Sequence, residues 1–316
     1  MGKLCSKWGI VECINKSMFC KKNNKVKLFF SSNMDFGNFG DLLSRYIVEK
    51  LSGLEIEKYY WRNIDVHLDA VGSILDCEEI CAPSVIWGSG FLSSQSYLKI
   101  KLVKLRQFLR RKYGNPQICA VRGLLTNDII QKAGLASSNV FGDPALLLPT
   151  IYKPTIIKKH KIGLILHYSH INGLADLTDE GVKFIDINRK YSDIETFIDE
   201  VLECDFILSS SLHGIIISNA YEIPCVRLKI NGLSIHKNER EEDFKFNDYV
   251  SGINTYNLNS NNDYSISELI IEKGGKIDKS ILTKVMEIAS VPKFKIDYTR
   301  LLKVFPLPLR ILAIND

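Results

Sequence analysis

The chain has 316 residues, a formal net charge of +5, and is 46% hydrophobic and 24% charged. That length exceeds a single hydrophobic core and predicts roughly two domains of about 150 residues each, while the near-average composition excludes a disordered or fibrous protein. A modest, dispersed positive charge argues against a nucleic-acid groove and suits an anionic small molecule or an anionic membrane surface.

Eight cysteines (Cys5, Cys13, Cys20, Cys77, Cys81, Cys119, Cys204, Cys225) form no Cys-x-x-Cys pair and no zinc-type spacing. Several lie in apolar, strand-like runs, where a thiol behaves as a small hydrophobe, so a reducing cytoplasm is expected. The first thirty residues lack the apolar core of a signal peptide. No stretch reaches the roughly 18 apolar residues that span a bilayer.

Residues 1–24 carry no assignable pattern. The apolar run Val26–Phe30 predicts a strand, followed by a glycine-containing loop to Asp41 and a helical pattern from Leu42 to Leu51. Strand, loop and helix make a first βα unit of a nucleotide-binding-like fold, without the Gly-x-Gly-x-x-Gly of a dinucleotide site. Asp41 caps the helix in one reading; in the other, Asn38 and Asp41 bind or deprotonate a sugar hydroxyl. A second strand, Ser84–Trp87, opens into the small-residue turn Gly88-Ser89-Gly90. The basic, amphipathic stretch Lys99–Lys112 is a solvated helix face or a contact for an anionic membrane.

Strand Ile118–Val121 ends at Arg122, before a helix over Leu124–Ala133. An arginine at a strand's carboxyl end faces the crevice where open α/β sheets bind ligands, and its planar fork matches a carboxylate or phosphate. Asp143 stands at another strand end, although Asp143-Pro144 also reads as a cap with proline at the first helical position. Residues 149–160 hold two prolines and no amphipathic pattern, which places the domain boundary there: 1–150 and 151–316.

The second half predicts strands at Lys161–Leu166, Val182–Ile187, Phe206–Leu208 and Cys225–Leu228, and helices at Ile194–Leu202 and from His213. Two α/β halves facing each other describe a GT-B-like architecture of two Rossmann-like domains. The strand into Ser209-Ser210-Ser211-Leu212-His213-Gly214 has the form of an anion cradle, because unpaired amides and the helix dipole point outward at a helix start. His213 titrates near neutral pH without help. The plainer alternative is a helix capped by Ser210 or Ser211 with a satisfied histidine behind it. His167 and His170, three apart on a loop, are not expected to form a metal pair. Asn231–Asp243 reads as a polar loop that runs on into the aromatic segment Phe244–Tyr249, and residues 278–290 as a helix. The segment from Tyr298 packs on the core or dips into a bilayer surface.

In order, Asn38-Phe39-Gly40-Asp41, Trp87-Gly88-Ser89-Gly90, Val121-Arg122-Gly123, Gly142-Asp143-Pro144, Ile162-Gly163 with His167-Tyr168, Ser210-Ser211-Leu212-His213-Gly214, Ile223-Pro224 and Phe244-Lys245-Phe246-x-Asp248-Tyr249 resemble the polysaccharide pyruvyl transferase family over about residues 26–250. The resemblance implies a GT-B-like fold and transfer of the enolpyruvyl group of phosphoenolpyruvate to two hydroxyls of one sugar, giving a cyclic ketal and phosphate. It implies that Arg122, Ser210, Ser211, Leu212 and Gly214 bind the donor, with His167 and Lys245 beside them, and that His213 is the general acid. Asp41 or Asp143 would orient or deprotonate the acceptor, with Asn38, Gly88 and Ser89 on the acceptor side. Some relatives carry arginine where Ser211 stands, so Lys245, Lys229 or Arg227 is expected to supply the missing charge.

The donor is a trianion, which calls for a guanidinium, an ammonium and helix-end amides, and no metal or other cofactor is demanded. Galactose bridged at its 4- and 6-hydroxyls, carried on a polyprenyl diphosphate or a nucleotide, is the expected acceptor. That places the protein in the cytoplasm, at the inner face of the membrane if the carrier is a lipid. A GT-B glycosyltransferase using a nucleotide sugar, or a non-catalytic sugar-phosphate-binding protein, are the competing readings.

Overall fold

The computed structural model describes residues 24–60, 66–75, 80, 83–94, 100–101, 116–174, 181–233, 239–258 and 263–310. Of the basic stretch Lys99–Lys112, only residues 100–101 fall within that range. Two five-stranded sheets form the frame, and every pairing within them is parallel. The first has the order β3 (Glu55–Lys58), β1 (Lys25–Phe29), β4 (His67–Asp69), β5 (Ser84–Trp87), β6 (Gln117–Ala120). The second has the order β12 (Glu268–Glu272), β11 (Cys225–Asn231), β10 (Cys204–Ser209), β7 (His160–Ile165), β8 (Val182–Phe184).

Numbered within its own sheet, each set of strands runs 2-1-3-4-5. The order therefore reverses between β1 and β4 in one sheet and between β7 and β10 in the other. In open α/β sheets ligands bind outside the carboxyl ends of the strands at this reversal. The first reversal opens on the loop that leads to Asn38, Gly40 and Asp41. The second opens on His167 and on the serine turn before His213.

Eight helices are described: α1 (Phe39–Ser52), α2 (Leu124–Lys132), α3 (Leu148–Ile151), α4 (Ile194–Leu202), α5 (Leu212–Ala220), α6 (Glu239–Asn254), α7 (Lys279–Ile288) and α8 (Thr299–Lys303). Helix α1 is bounded by chemistry visible in the sequence. The Asn38 side chain accepts the Gly40 N–H at its start, and Gly53, at φ +69°, closes it with its own N–H bonded to the Glu49 carbonyl. The cap is thus Asn38 and not Asp41. Helix α5 is apolar all round, as expected of a helix surrounded by protein. Apart from His213 its residues are buried, and it packs against β10, β11 and the turn Pro144–Leu147.

The expected polar loop, with its aromatic continuation through Tyr249, is instead helical from Glu239 onward. Phe246, Tyr249 and Ile253 repeat at helical spacing and are buried. The charged run ahead of them and the interposed Lys245 and Asp248 hide this stripe in the sequence. Strands β3, β4 and β12 were also not legible: β3 and β12 begin and end in charged residues, and β4 is three residues long with only one of them apolar.

One hydrophobic core takes residues from both sheets, from Val26 through Leu307. The halves are joined on two sides. On one side β2 (Phe36–Asn38) pairs antiparallel with β9 (Asn188–Lys190), the Phe39 N–H donates to the Ile187 carbonyl at 2.8 Å, and the Phe39 and Phe197 rings stack at 3.8 Å. Tyr46 and Lys50 of α1 both donate to Glu195 of α4. On the other side α6 crosses the turn between β6 and α2 at backbone contact: a Cβ on Gly123 would lie 1.7 Å from the Asp248 carbonyl oxygen, and one on Gly252 would lie 2.1 Å from that of Arg122.

The segment after Tyr298 packs on the core. Leu301, Phe305 and Leu307 are buried, the Trp87 indole donates to the Leu301 carbonyl at 2.9 Å, and the Arg310 N–H donates to that of Leu51 at 2.7 Å. Among the described residues no helix is long and apolar enough to cross a membrane.

Candidate functional site

Both strand-order reversals meet at His213. Its ring lies against the backbone of Gly40, in the first turn of α1, so closely that a Cβ there would fall 2.1 Å from Nδ1. The cradle beneath it is built from serines. The Ser209 hydroxyl lies 3.0 Å from the carbonyl oxygens of Ile165 and Ser211 and accepts the Ser211 N–H. Gly214 leaves room for it, since a Cβ there would meet Ser209 Oγ at 2.1 Å. Ser210 accepts the His167 N–H at 2.9 Å, tying the end of β7 to the turn.

Ser211 occupies the N-cap position of α5, but its side chain makes no capping bond. The plain capping reading of the serine turn therefore fails. The first amides of α5 have no intrahelical acceptor, and with the helix dipole they favour an anion.

Asp143 approaches from the first sheet. Its Oδ1 accepts the Ala145 N–H at 2.9 Å, and with Pro144 it caps the short turn Pro144–Leu147. Its other oxygen, Oδ2, faces His213 Nε2 at 3.9 Å, and among the described residues neither atom has a hydrogen-bond partner. Burial raises the Asp143 carboxyl to about 6, against the pull of the Ala145 N–H and Arg122 and with a push from Asp248. Burial, together with the positive charges of Arg122 and Lys245, lowers His213 to about 3. At neutral pH this makes His213 a neutral imidazole.

The two cations differ in kind. Arg122 is fully buried and faces the protein: Nε donates to Asp248 Oδ2 at 2.8 Å, one terminal nitrogen donates to the Ser73 hydroxyl, and the other donates to the Phe91 carbonyl at 2.6 Å. A Cβ on Gly90 would collide with its guanidinium. Arg122 thus shapes the field at His213 from behind. Asp248 also accepts the Thr126 N–H and hydroxyl, both at 2.7 Å, and so caps α2 from another helix because Gly123 has no side chain to do so.

Of the three candidates for the missing charge, Arg227 and Lys229 are each bound to both Asp243 and Glu268 within 3.0 Å. Lys245 is the cation of the three whose charge reaches His213.

The acceptor-side candidates separate as well. The Ser89 hydroxyl is buried and donates to the Ala70 carbonyl, and Gly88, at φ +93°, lies against Pro144. Both build the wall behind Asp143. The Asn38 side-chain oxygen, Oδ1, is engaged in capping α1. Asp41 accepts from Ser32 Oγ at 3.0 Å, while Lys58 donates to the Ser32 carbonyl. Burial raises the Asp41 carboxyl and lowers the Lys58 amine. Lys58 and Ser32 carry no motif in the sequence; only the fold brings them to Asp41. His167 Nδ1 lies 2.8 Å from Ser169 Oγ, and His170 Nε2 lies 3.2 Å from the Leu233 carbonyl oxygen.

Gly40→Ala tests this geometry. Alanine suits a helix better than glycine, so α1 should form normally, but the added methyl must push the His213 ring aside. A displacement near 1 Å at a reacting group costs about 100-fold in rate. Circular dichroism should show an unchanged fold while turnover falls by that order.

Two parallel, Rossmann-like sheets with a histidine, a carboxyl and a helix start gathered near their strand-order reversals define an α/β protein of Rossmann-like type. Residues 18–231 match the polysaccharide pyruvyl transferase family. The chain belongs to that family, whose members are transferases. It is also similar to an uncharacterized protein of Acanthamoeba polyphaga mimivirus, 28% identical over 224 residues that cover 68% of this chain and 70% of the relative.

Proposed function

We propose that this protein transfers the enolpyruvyl group of phosphoenolpyruvate onto two hydroxyls of one sugar in a polysaccharide precursor, forming a cyclic ketal and releasing phosphate. The two sheets then act as a GT-B-like pair, with the donor at the second reversal and the acceptor at the first. The observation that carries the reading is His213, in the first turn of α5 and within the span that matches the family, its Nε2 unpartnered among the described residues and the charge of Lys245 acting on it. Phosphoenolpyruvate brings three negative charges; the α5 amides and Lys245 would bind them, with Arg122 adding its field.

Binding changes the histidine. Burial, reinforced by the charges of Arg122 and Lys245, holds it neutral, and a bound trianion opposes both cations and raises its pKa toward neutrality. His213 becomes an acid only when there is a methylene to protonate. Ser32, Asp41 and Lys58 line the side of α1 next to Gly40 and would hold the sugar. Galactose bridged at its 4- and 6-hydroxyls, on a polyprenyl diphosphate or a nucleotide, is the acceptor proposed. The test is phosphate release from phosphoenolpyruvate in the presence of galactose, glucose, mannose or N-acetylhexosamine acceptors on either carrier. Release with one of these sugars, and a pyruvyl mass added to it, supports the reading. Sugar transfer from a nucleotide donor without phosphoenolpyruvate would replace it.

A further inference from the structure

Buried polar atoms are nearly always hydrogen-bonded, yet two of them face each other here unsatisfied. Asp143 Oδ2 and His213 Nε2 are 3.9 Å apart, one held at the end of the first sheet and the other on α5 of the second. That separation is too long for a direct bond, whereas an oxygen set beside the pair can lie about 2.8 Å from both. The hydroxyl of a sugar fits such a place, since it can donate to the carboxylate and accept from the imidazole.

Building on the pyruvyl-transfer reading, we propose that Asp143 and His213 act as one proton-sharing pair, His213 giving its proton to the donor's methylene carbon and Asp143 recovering one from the attacking hydroxyl. In the first addition the His213 Nε2–H bond breaks and its proton forms a C–H bond at C3, using the π pair of C2=C3. The hydroxyl oxygen forms the C–O bond at C2, and its proton goes to Asp143 Oδ2. The pair holds one proton before and after. At 3.9 Å the return of the proton from Oδ2 to Nε2 runs through a bridging hydroxyl, which accepts from the carboxyl and donates to the imidazole, and restores the starting form. Phosphate then leaves with the electron pair of its C–O bond, the second hydroxyl adds at C2, and its proton departs on the phosphate.

The surrounding charges suit this exchange. The charges of Arg122 and Lys245 act on His213, those of Arg122 and Asp248 act on Asp143, and the Tyr249 hydroxyl is close enough to Asp143 to be influenced by it. Without an anion, a proton taken up below about pH 6 rests on Asp143, whose carboxyl stands near 6 while His213 stands near 3. A bound trianion draws it to His213.

Asp143→Asn is a clean probe, because the amide oxygen can keep the Ala145 N–H bond and with it the local fold. In wild-type protein labelled with 15N-histidine and without ligand, the His213 ring resonances should move as Asp143 titrates near pH 6, and that inflection should vanish in Asp143→Asn. With saturating phosphoenolpyruvate, His213 should be protonated at higher pH in the wild type than in the variant. Phosphate release should fall by about 10²–10⁴-fold, while donor affinity is retained. An inflection near pH 6 that persists in Asp143→Asn would overturn the pairing. If phosphoenolpyruvate moves no resonance in either protein, the pyruvyl-transfer reading fails, and the ligand-free titration still decides whether the two residues are coupled.

Discussion

His213→Gln is expected to abolish phosphate release, by at least about 10³-fold given what a single acid contributes, while leaving the protein folded and more tolerant of acid. The side chain is only 13% exposed and its Nε2 bonds to nothing among the described residues, so glutamine removes the acid without breaking a structural bond. The effect on stability follows from linkage. The unfolded chain takes a proton on this histidine near 6.5, but the folded protein does so only near 3. Between those values the unfolded state binds more protons, and stability falls as the pH drops. Asp143 works the other way: its raised carboxyl takes a proton near 6 in the folded protein and near 3.8 when unfolded, which adds stability as the pH falls through that window. The larger shift belongs to His213. Thermal melts from pH 7 to pH 4 should therefore show a shallower loss in His213→Gln than in the wild type. A variant with near-normal phosphate release would remove His213 from the chemistry.

Asp248→Ala is expected to have the largest effect on stability. The carboxylate is fully buried, neutralises Arg122 across 2.8 Å and caps α2 through two bonds to Thr126. Removing one partner of a buried ion pair costs about 3–5 kcal/mol because the other charge is left without compensation. Loss of a cap adds about 1 kcal/mol. Denaturant melts should show a loss of this order, or no folded protein at all. Asp248→Asn should be milder, since the amide oxygen can still accept from Thr126. A small change in Asp248→Ala would mean that Arg122 is solvated, contrary to its burial here.

Much of the frame was legible in the sequence because the buried strands of parallel sheets read as short apolar runs between glycine-rich turns. Ser84–Trp87 and Ile194–Leu202 coincide with their elements residue for residue. Helix α6 did not, because Lys245 and Asp248 interrupt its apolar stripe for reasons visible only in the fold: the charge of one reaches His213 and the other pairs with a residue 126 positions away. Arg122 was legible as a residue at a strand end, but its partner was not, so its turn into the protein could not be read. The same holds for Gly40. Its place in Asn-Phe-Gly-Asp marks a tight approach, but only the structure names the His213 ring as what approaches. Lys58 had no signal at all, being a lysine at the end of a four-residue edge strand.

The central claim is that the start of α5 and Lys245 bind phosphoenolpyruvate beside His213. Isothermal titration of the intact protein with phosphoenolpyruvate, beside uridine and guanosine nucleotide sugars, tests it most directly. The account predicts heat from phosphoenolpyruvate alone, weakened at least about tenfold in Lys245→Met because a charge-assisted contact is lost. Binding of a nucleotide sugar with none of phosphoenolpyruvate would contradict it.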